Sequence, residues 1–152
     1  MKLDRKLFSK EVILFHQDIA TQDEIFEKLN ENLLAKGVVN DGFLAAIKKR
    51  EKNFPTGLKL ESGFGVAIPH TDPEFVNEDQ IGFISLNKPI QFRQMGSDTE
   101  VVEAKMIFIL CLKEAHKQLD MLQNLMTLFG DDAKIEKLYA CKSIEEFLNL
   151  IS

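Results

Sequence analysis

Hydrophobic residues recur every third or fourth position in several stretches of the chain, which is the spacing of one face of an α-helix. In the first stretch these residues are Ile25, Phe26, Leu29, Leu33 and Leu34. Thr21 precedes the stretch and Glu24 follows three residues later, as in a capping box at a helix start. Lys36 and Gly37 supply the cation and the glycine that commonly end a helix. A helix is therefore predicted between Thr21 and Lys36.

Four more helices are predicted from the same periodicity and from capping residues. Asp41 is the candidate cap of a second helix that runs to about Asn53. Asp131 and Ser143 open two short helices near the end of the sequence. A longer helix is predicted over residues 116–129, where Leu119, Leu122, Leu125, Met126 and Phe129 fall on one face.

Apolar runs indicate the strands of a buried sheet. The strand candidates are residues 12–16, 57–60, 64–68, 80–86 and 101–112. The order of one strand, two helices, several strands and three helices favours a mixed sheet over a strictly alternating βαβ fold. We expect an α/β (α+β mixed) single domain spanning residues 1–152. Its mixed β-sheet of about five strands would be covered by helices on both faces, in a three-layer α/β/α sandwich.

Charge and composition narrow the function classes. A net charge of −5 offers no basic excess for nucleic-acid phosphates and no basic tract for an anionic membrane. The apolar runs are far shorter than the roughly 20 residues that cross a bilayer, and the start of the chain lacks a signal-peptide core. We therefore expect a cytoplasmic protein. Cys111 and Cys141 form neither a disulfide framework nor a CxxC pair, and Cys111 is expected to be buried.

The three histidines, His16, His70 and His116, are the candidate reactive groups. Their spacing matches no zinc motif, so we expect no metal site. His70 stands out because Pro69 stiffens the backbone just before it and because it follows a strand candidate in a loop. The residues alone leave two interpretations open. His70 is either a reactive imidazole presented at a strand end or a turn histidine held by backbone carbonyls.

The segment Gly65-Val66-Ala67-Ile68-Pro69-His70 resembles the phosphorylation-site motif of the fructose/mannitol-type enzyme IIA domains of the bacterial sugar phosphotransferase system (PTS). Arg50-Glu51-Lys52 and Pro55-Thr56-Gly57-Leu58 precede that motif as they do in the family. His116-Lys117-Gln118-Leu119 resembles the family's second histidine at a helix start. The similarity extends over nearly the whole chain. Residues 92–97, with the strand that follows them, are most similar to the galactitol branch.

The resemblance implies that His70 accepts a phosphoryl group on Nε2 from the phosphocarrier protein HPr. His70 would pass the group to a cysteine of a IIB protein, which serves the membrane subunit IIC. Neutral imidazole suits this relay because its pKa is about 6.5 and because its bond to phosphorus can be broken again. Nδ1 should then donate to a backbone carbonyl. No metal or other cofactor is implied, since proteins present both the donor phosphohistidine and the acceptor thiolate.

The resemblance also assigns three supporting residues. Arg50 is expected to clamp the phosphoryl charge; the alternative is a surface helix charge paired with an acid. His116 is expected to orient the phosphoryl group or the imidazole, and the alternative is a helix-start histidine bonded to a loop carbonyl. Thr56 offers a hydroxyl for a hydrogen bond to the phosphoryl group, or is a turn residue.

HPr and the IIB protein are expected to dock in turn on overlapping patches around His70. Phe64, Phe75 and Val76 are apolar candidates for these patches, with core packing as the alternative for Phe64. Three functions remain open: a stand-alone IIA component for a polyol, with galactitol favoured; a regulatory IIA-like phosphoprotein; and an interaction module without the chemistry. The presence of His70, Arg50 and His116 together argues against the last.

Overall fold

A mixed β-sheet forms the centre of the computed structural model, which describes residues 3–152 apart from the side chain of Ala115. Within these residues the strands are β1 (Ile13–Gln17), β2 (Gly57–Lys59), β3 (Gly65–Ala67), β4 (Gln80–Arg93) and β5 (Val101–Cys111). Their order in the sheet is β1-β4-β5-β3-β2. β1 pairs with β4, and β3 with β5, in parallel, whereas β4 with β5 and β2 with β3 are antiparallel. The predicted mixed sheet of about five strands is confirmed.

Helices cover both faces of this sheet. Within the described residues they are α1 (Gln22–Ala35), α2 (Phe43–Asn53), α3 (Ala115–Phe129), α4 (Asp132–Ala140) and α5 (Ile144–Ile151). Adjacent strand residues point to opposite faces. Ile84 and Ile107 therefore pack with α1 and α2, while Phe83 and Phe108 pack with α3, α4 and α5. The predicted three-layer α/β/α arrangement is confirmed, and Cys111 is buried as expected.

Three of the predicted helix caps are present. The side chains of Thr21, Asp131 and Ser143 each accept a hydrogen bond from the N–H three residues further on. Gly37 follows the end of α1 with a φ of +73°, a left-handed conformation that glycine adopts without steric cost. Across the described residues, no helix combines the length and apolar character needed to cross a membrane.

The predicted cap at Asp41 is wrong. The N-cap of α2 is Gly42, and its N–H donates to the Oδ1 of Asn40 over 3.0 Å. The Nδ2 of Asn40 donates in turn to the carbonyl oxygen of Glu74, also over 3.0 Å. One asparagine thus holds the start of α2 and joins it to the segment after His70.

The helix α3 departs from the single apolar face predicted for it. Leu125 and Phe129 are buried against the sheet, whereas Leu119 and Met126 are 59% and 50% exposed. Leu119 and Met126 are seven residues apart and so lie on one side of the helix, and that side faces outward. This outcome leaves two large apolar side chains on the surface.

The strand β4 is longer than predicted. The apolar run ends at residue 86 because Asn87 and Lys88 are polar, yet the strand continues to Arg93. Its register against β5 shifts in this region, and beyond the shift Ile90 and Phe92 are buried while Gln91 between them is exposed. The extension therefore follows the alternation of a strand with one solvent-facing side.

Gly65 allows β3 to lie close beside β5, the central strand of the sheet. A Cβ atom at this position would lie 2.1 Å from the backbone oxygen of Glu103 in β5, so only glycine fits. The close approach sets β3 beside β5 and directs the chain toward His70.

Candidate functional site

His70 lies beyond the end of β3, in a segment held on both sides. The N–H of Ile68 donates to the carbonyl oxygen of Thr56 over 3.3 Å, and the N–H of Leu110 donates to that of Pro69 over 2.9 Å. The backbone beneath the imidazole is therefore fixed by its neighbours in the sheet.

The imidazole of His70 makes a hydrogen bond through Nδ1. This atom lies 2.9 Å from the carbonyl oxygen of Ile68. Because a carbonyl oxygen only accepts, the neutral ring carries its proton on Nδ1 and keeps a lone pair on Nε2. The expected bond from Nδ1 to a backbone carbonyl is present, and its acceptor is Ile68.

The surroundings of His70 favour its uncharged form. Burial lowers its pKa below the ordinary 6.5; the hydrogen bond to Ile68 opposes this, and the positive charge of Arg50 lowers the pKa further. The ring is therefore neutral at pH 7, the state in which Nε2 is a nucleophile.

Arg50 faces this site from α2. Its guanidinium carbon lies 4.3 Å from the centre of the Phe54 ring, within the range of a cation–π contact. A cleft of about 470 Å³ lies between α2 and the residues after His70, and Arg50, Phe54, Thr71 and Asp72 contribute to its walls. The charge of Arg50 is close enough to lower the His70 pKa, so the two residues of the sequence-predicted pair lie near each other.

The apolar residues around the site are only partly those expected. Val76 is buried, and Phe64 packs against Tyr139 with ring centres 5.2 Å apart. Phe75 is half-buried and lines the cleft. The exposed aromatic side chain is Phe54, at 58%. Its position between the last residue of α2 and a proline is the sequence signal that could have found it.

Thr56 is buried and uses its hydroxyl inside the protein. The Oγ1 of Thr56 donates to the Oε1 of Glu51, and its N–H donates to the Oε2, both over 2.7 Å. Burial raises the pKa of Glu51 to about 7, while the two bonds from Thr56 and the charge of Arg93 oppose the rise. Glu51 belongs to the matched motif, but sequence reasoning assigned it no role.

His116 lies at the start of α3, with its side chain exposed. Its Nε2 is 3.1 Å from the Oε2 of Glu114. The helix is joined to the loop after His70 by Gln118, whose Nε2 donates to the carbonyl oxygen of Thr71 over 3.0 Å. The fold thus brings the start of α3 to the His70 loop through a residue that the sequence did not single out.

The remaining histidine, His16, is structural. Its ring Nε2 lies 3.1 Å from the carbonyl oxygen of Cys141, and its N–H donates to the Oγ of Ser85 over 2.8 Å. It therefore joins β1 to the connection between α4 and α5. Within residues 3–152, no group of three or more histidine, cysteine or acidic side chains is arranged to hold a metal ion.

A neutral imidazole with an unprotonated Nε2, beside an arginine at a cleft, is equipped to attack and bind an anionic group. The family model described as "Phosphoenolpyruvate-dependent sugar phosphotransferase system, EIIA 2" matches residues 6–152. The chain therefore belongs to this family of enzyme IIA components, which are phosphotransferases.

Individual relatives agree with the family and the fold. A mannitol-specific phosphotransferase enzyme IIA component of Staphylococcus aureus is 30% identical over 142 residues, covering 93% of this chain and 92% of the relative. A galactitol-specific PTS EIIA component of Escherichia coli is 30% identical over 109 residues, covering 72% and 69%. The solved complex of enzyme IIAMTL and phosphorylated enzyme IIBMTL from Escherichia coli contains a chain that is 23% identical, with a TM-score of 0.72 and coverage of 99% and 96%. The mannitol-specific and the galactitol-specific relative have the same sequence identity to this chain, so identity alone does not favour either sugar alcohol.

Proposed function

We propose that this protein accepts a phosphoryl group from phosphorylated HPr on the Nε2 of His70 and passes it to a cysteine of a IIB protein. In the first step the bond from phosphorus to the HPr nitrogen breaks as the bond to Nε2 forms. In the second, the bond to Nε2 breaks as the thiolate sulfur of the IIB protein bonds to phosphorus. The observation that carries the proposal is the hydrogen bond from Nδ1 to Ile68, which leaves the lone pair on Nε2.

Arg50 would stabilise the transferring group. The transition state of phosphoryl transfer spreads negative charge over three equatorial oxygens. A guanidinium presents paired N–H groups that match two such oxygens. The charge of Arg50, which adds to the lowering of the His70 pKa by burial, would then attract the phosphoryl group on the modified ring.

His116 and Thr56 would assist in different ways. His116 is exposed and pairs with Glu114, so its ring can turn toward a phosphoryl group without disturbing the core. For Thr56 we propose a positioning role in place of a direct hydrogen bond to the phosphoryl group, because its hydroxyl already donates to Glu51.

Exposed apolar side chains suit the docking of HPr and the IIB protein in turn. Phe54 lies beside Arg50, and Leu119 lies three residues after His116. Transient partners bury small interfaces, so a few such side chains are sufficient. The exchange would take place in the cytoplasm and feed the membrane subunit IIC.

The polyol in this proposal is galactitol. Residues 92–97 resemble the galactitol branch, and a galactitol-specific component is among the relatives. The alternative is a regulatory IIA-like phosphoprotein that receives the group but controls other proteins.

Purified proteins test the proposal. With phosphoenolpyruvate, enzyme I and HPr, the protein should gain the mass of one acid-labile phosphoryl group. His70→Ala should gain none, while the control His16→Asn should gain it fully, because asparagine tolerates the φ of +48° at position 16. A gain by His70→Ala would overturn the assignment. Loss of the group to the galactitol IIB protein would support the transport role, and retention with every IIB protein would favour the regulatory one.

A further inference from the structure

Glu51 is a charged side chain that the fold removes from water. It is 4% exposed. Burial of an ionised carboxylate opposes folding unless hydrogen bonds compensate it, and the pKa of about 7 reflects that cost. Residues that violate a folding preference in this way are concentrated at functional sites.

A continuous series of hydrogen bonds leads from Glu51 to His70. Both carboxylate oxygens accept from Thr56, each over 2.7 Å. The carbonyl oxygen of Thr56 accepts from the N–H of Ile68 over 3.3 Å. The carbonyl oxygen of Ile68 then accepts from Nδ1 of His70 over 2.9 Å. A displacement of Thr56 would therefore be transmitted to the acceptor that holds the imidazole.

Glu51 also directly follows Arg50 in α2. The end of this helix is held by the N–H of Phe54, which donates to the carbonyl oxygen of Arg50 over 2.7 Å. The helix that carries Arg50 is thus tied through Glu51 to the segment that carries His70. The guanidinium of Arg50 and the imidazole of His70, which would contact the phosphoryl group, are therefore positioned by the same set of hydrogen bonds.

We infer that Glu51 is a positioning residue: through Thr56 it holds the imidazole of His70 in place with Nε2 unprotonated. The inference rests on the proposed role of His70 and adds to it a buried residue that never touches the phosphoryl group. Such supporting groups matter because a small misplacement of a reacting atom lowers the rate steeply.

Several charged groups surround Glu51. Arg93 of β4 lowers its pKa, and Lys48 and Lys52 of α2 and Asp23 of α1 line an open cleft of about 900 Å³ that reaches it. An experiment must therefore distinguish the effect of the length of the Glu51 side chain from the effect of its charge.

Two substitutions make that separation. Glu51→Asp keeps the charge but is one methylene too short to reach Thr56. Glu51→Gln loses the charge but keeps the length, and its amide can accept from the N–H of Thr56 and donate to the hydroxyl oxygen. Glu136→Asp, on the exposed side of α4, is the matched control for shortening a glutamate.

The readouts are the ¹⁵N chemical shifts of the His70 ring nitrogens near pH 8 and the rate of transfer from phosphorylated HPr. Wild type, Glu51→Gln and Glu136→Asp should hold the ring proton on Nδ1. Glu51→Asp should move population to the tautomer with the proton on Nε2, which histidine favours in water, and should slow transfer by about tenfold or more.

An unchanged tautomer and an unchanged rate in folded Glu51→Asp would overturn the inference. The inference would also be overturned if Glu51→Gln lost the Nδ1 tautomer and the transfer rate while Glu51→Asp kept them. The effect would then depend on the charge of Glu51. If the amide spectrum shows that Glu51→Asp is unfolded, Thr56→Val is used in its place. A ring proton that stays on Nδ1 of His70 in Thr56→Val would also overturn the inference. The tautomer readout needs no phosphoryl transfer, so an unphosphorylated wild type would refute the proposed function separately.

Discussion

The guanidinium carbon of Arg50 lies 4.3 Å from the centre of the Phe54 ring, and that ring is exposed. Arg50 thus lies over the face of the Phe54 ring, a contact that restrains the guanidinium. The N–H donors of a guanidinium suit it to binding an anion. The exposed ring also offers an apolar surface next to the site.

Removing the ring should weaken transfer modestly. An exposed cation–π contact is worth about 0.5–1 kcal/mol, which corresponds to a loss of about two- to fivefold in the rate. We expect this loss in the kcat of Phe54→Leu, with little change in the KM for HPr because the apolar side chain remains. Phe54→Ala should also raise the KM, and Phe54→Tyr should resemble wild type. A wild-type kcat in Phe54→Leu would contradict a role for the aromatic face.

The charge of Arg50 should be measurable at the His70 ring. Arg50→Met retains an apolar stem against Phe54 but removes the positive charge that lowers the His70 pKa. The pKa of His70 should therefore rise, as followed by NMR titration of the ring protons. Transfer from HPr should fall by about a hundredfold, as when a charge-stabilising donor is removed from an active site. Lys52→Met removes the same charge elsewhere on α2, and an equal pKa change in it would refute a specific effect of Arg50.

His116 should matter for transfer and not for folding. Its side chain is 71% exposed, so His116→Ala should leave the melting temperature unchanged. Loss of a hydrogen bond to a charged phosphoryl group should slow transfer by about tenfold or more.

The partner of His116 supplies the control. Glu114→Gln weakens the contact between Glu114 and the His116 ring and leaves the histidine in place, so its transfer rate should equal or exceed that of wild type. Equal losses in Glu114→Gln and His116→Ala would assign the effect to the contact with Glu114, and no loss in His116→Ala would leave this histidine as a surface residue.

The layers of the fold and the position of His70 were predictable from the sequence because they follow from short-range patterns. Alternation along β4 and β5 sets which residues face each helical layer, as Phe83 and Ile84 illustrate. The motif that ends at His70 carries its own turn, with Pro69 stiffening the chain.

The details that complete the site were not predictable, since they depend on distances between elements. Leu119 and Met126 have the spacing of core residues, yet they face outward because the sheet is covered by the other side of α3. The link from Gln118 to Thr71 joins two elements through a side chain whose partner no local pattern specifies. The bond from Thr56 to Glu51 crosses the turn between α2 and β2 for the same reason.

Glu51 makes the stability of this protein depend on pH. Its pKa rises from 4.5 in the unfolded chain to about 7 in the folded one, chiefly through burial. Between these values the folded state holds a proton that the unfolded state has lost. The contribution of Glu51 to the free energy of unfolding is therefore largest below about pH 4.5 and declines as the pH rises to about 7. The decline is on the order of 3 kcal/mol.

Glu51→Gln should remove this dependence. The variant keeps its bonds to Thr56, so its free energy of unfolding should exceed that of wild type near pH 8 and approach it near pH 5. Urea unfolding at a series of pH values measures the difference between the two proteins. The lowered pKa of His70 makes the free energy of unfolding rise with pH, because there the unfolded chain binds the extra proton. This contribution is the same in wild type and in Glu51→Gln, so it cancels in the difference between them. Glu136→Gln, which changes an exposed carboxylate, should show a difference from wild type that is small at every pH. If the free energies of unfolding of Glu51→Gln and wild type differ by the same amount from about pH 5 to about pH 8, the raised pKa of Glu51 is contradicted.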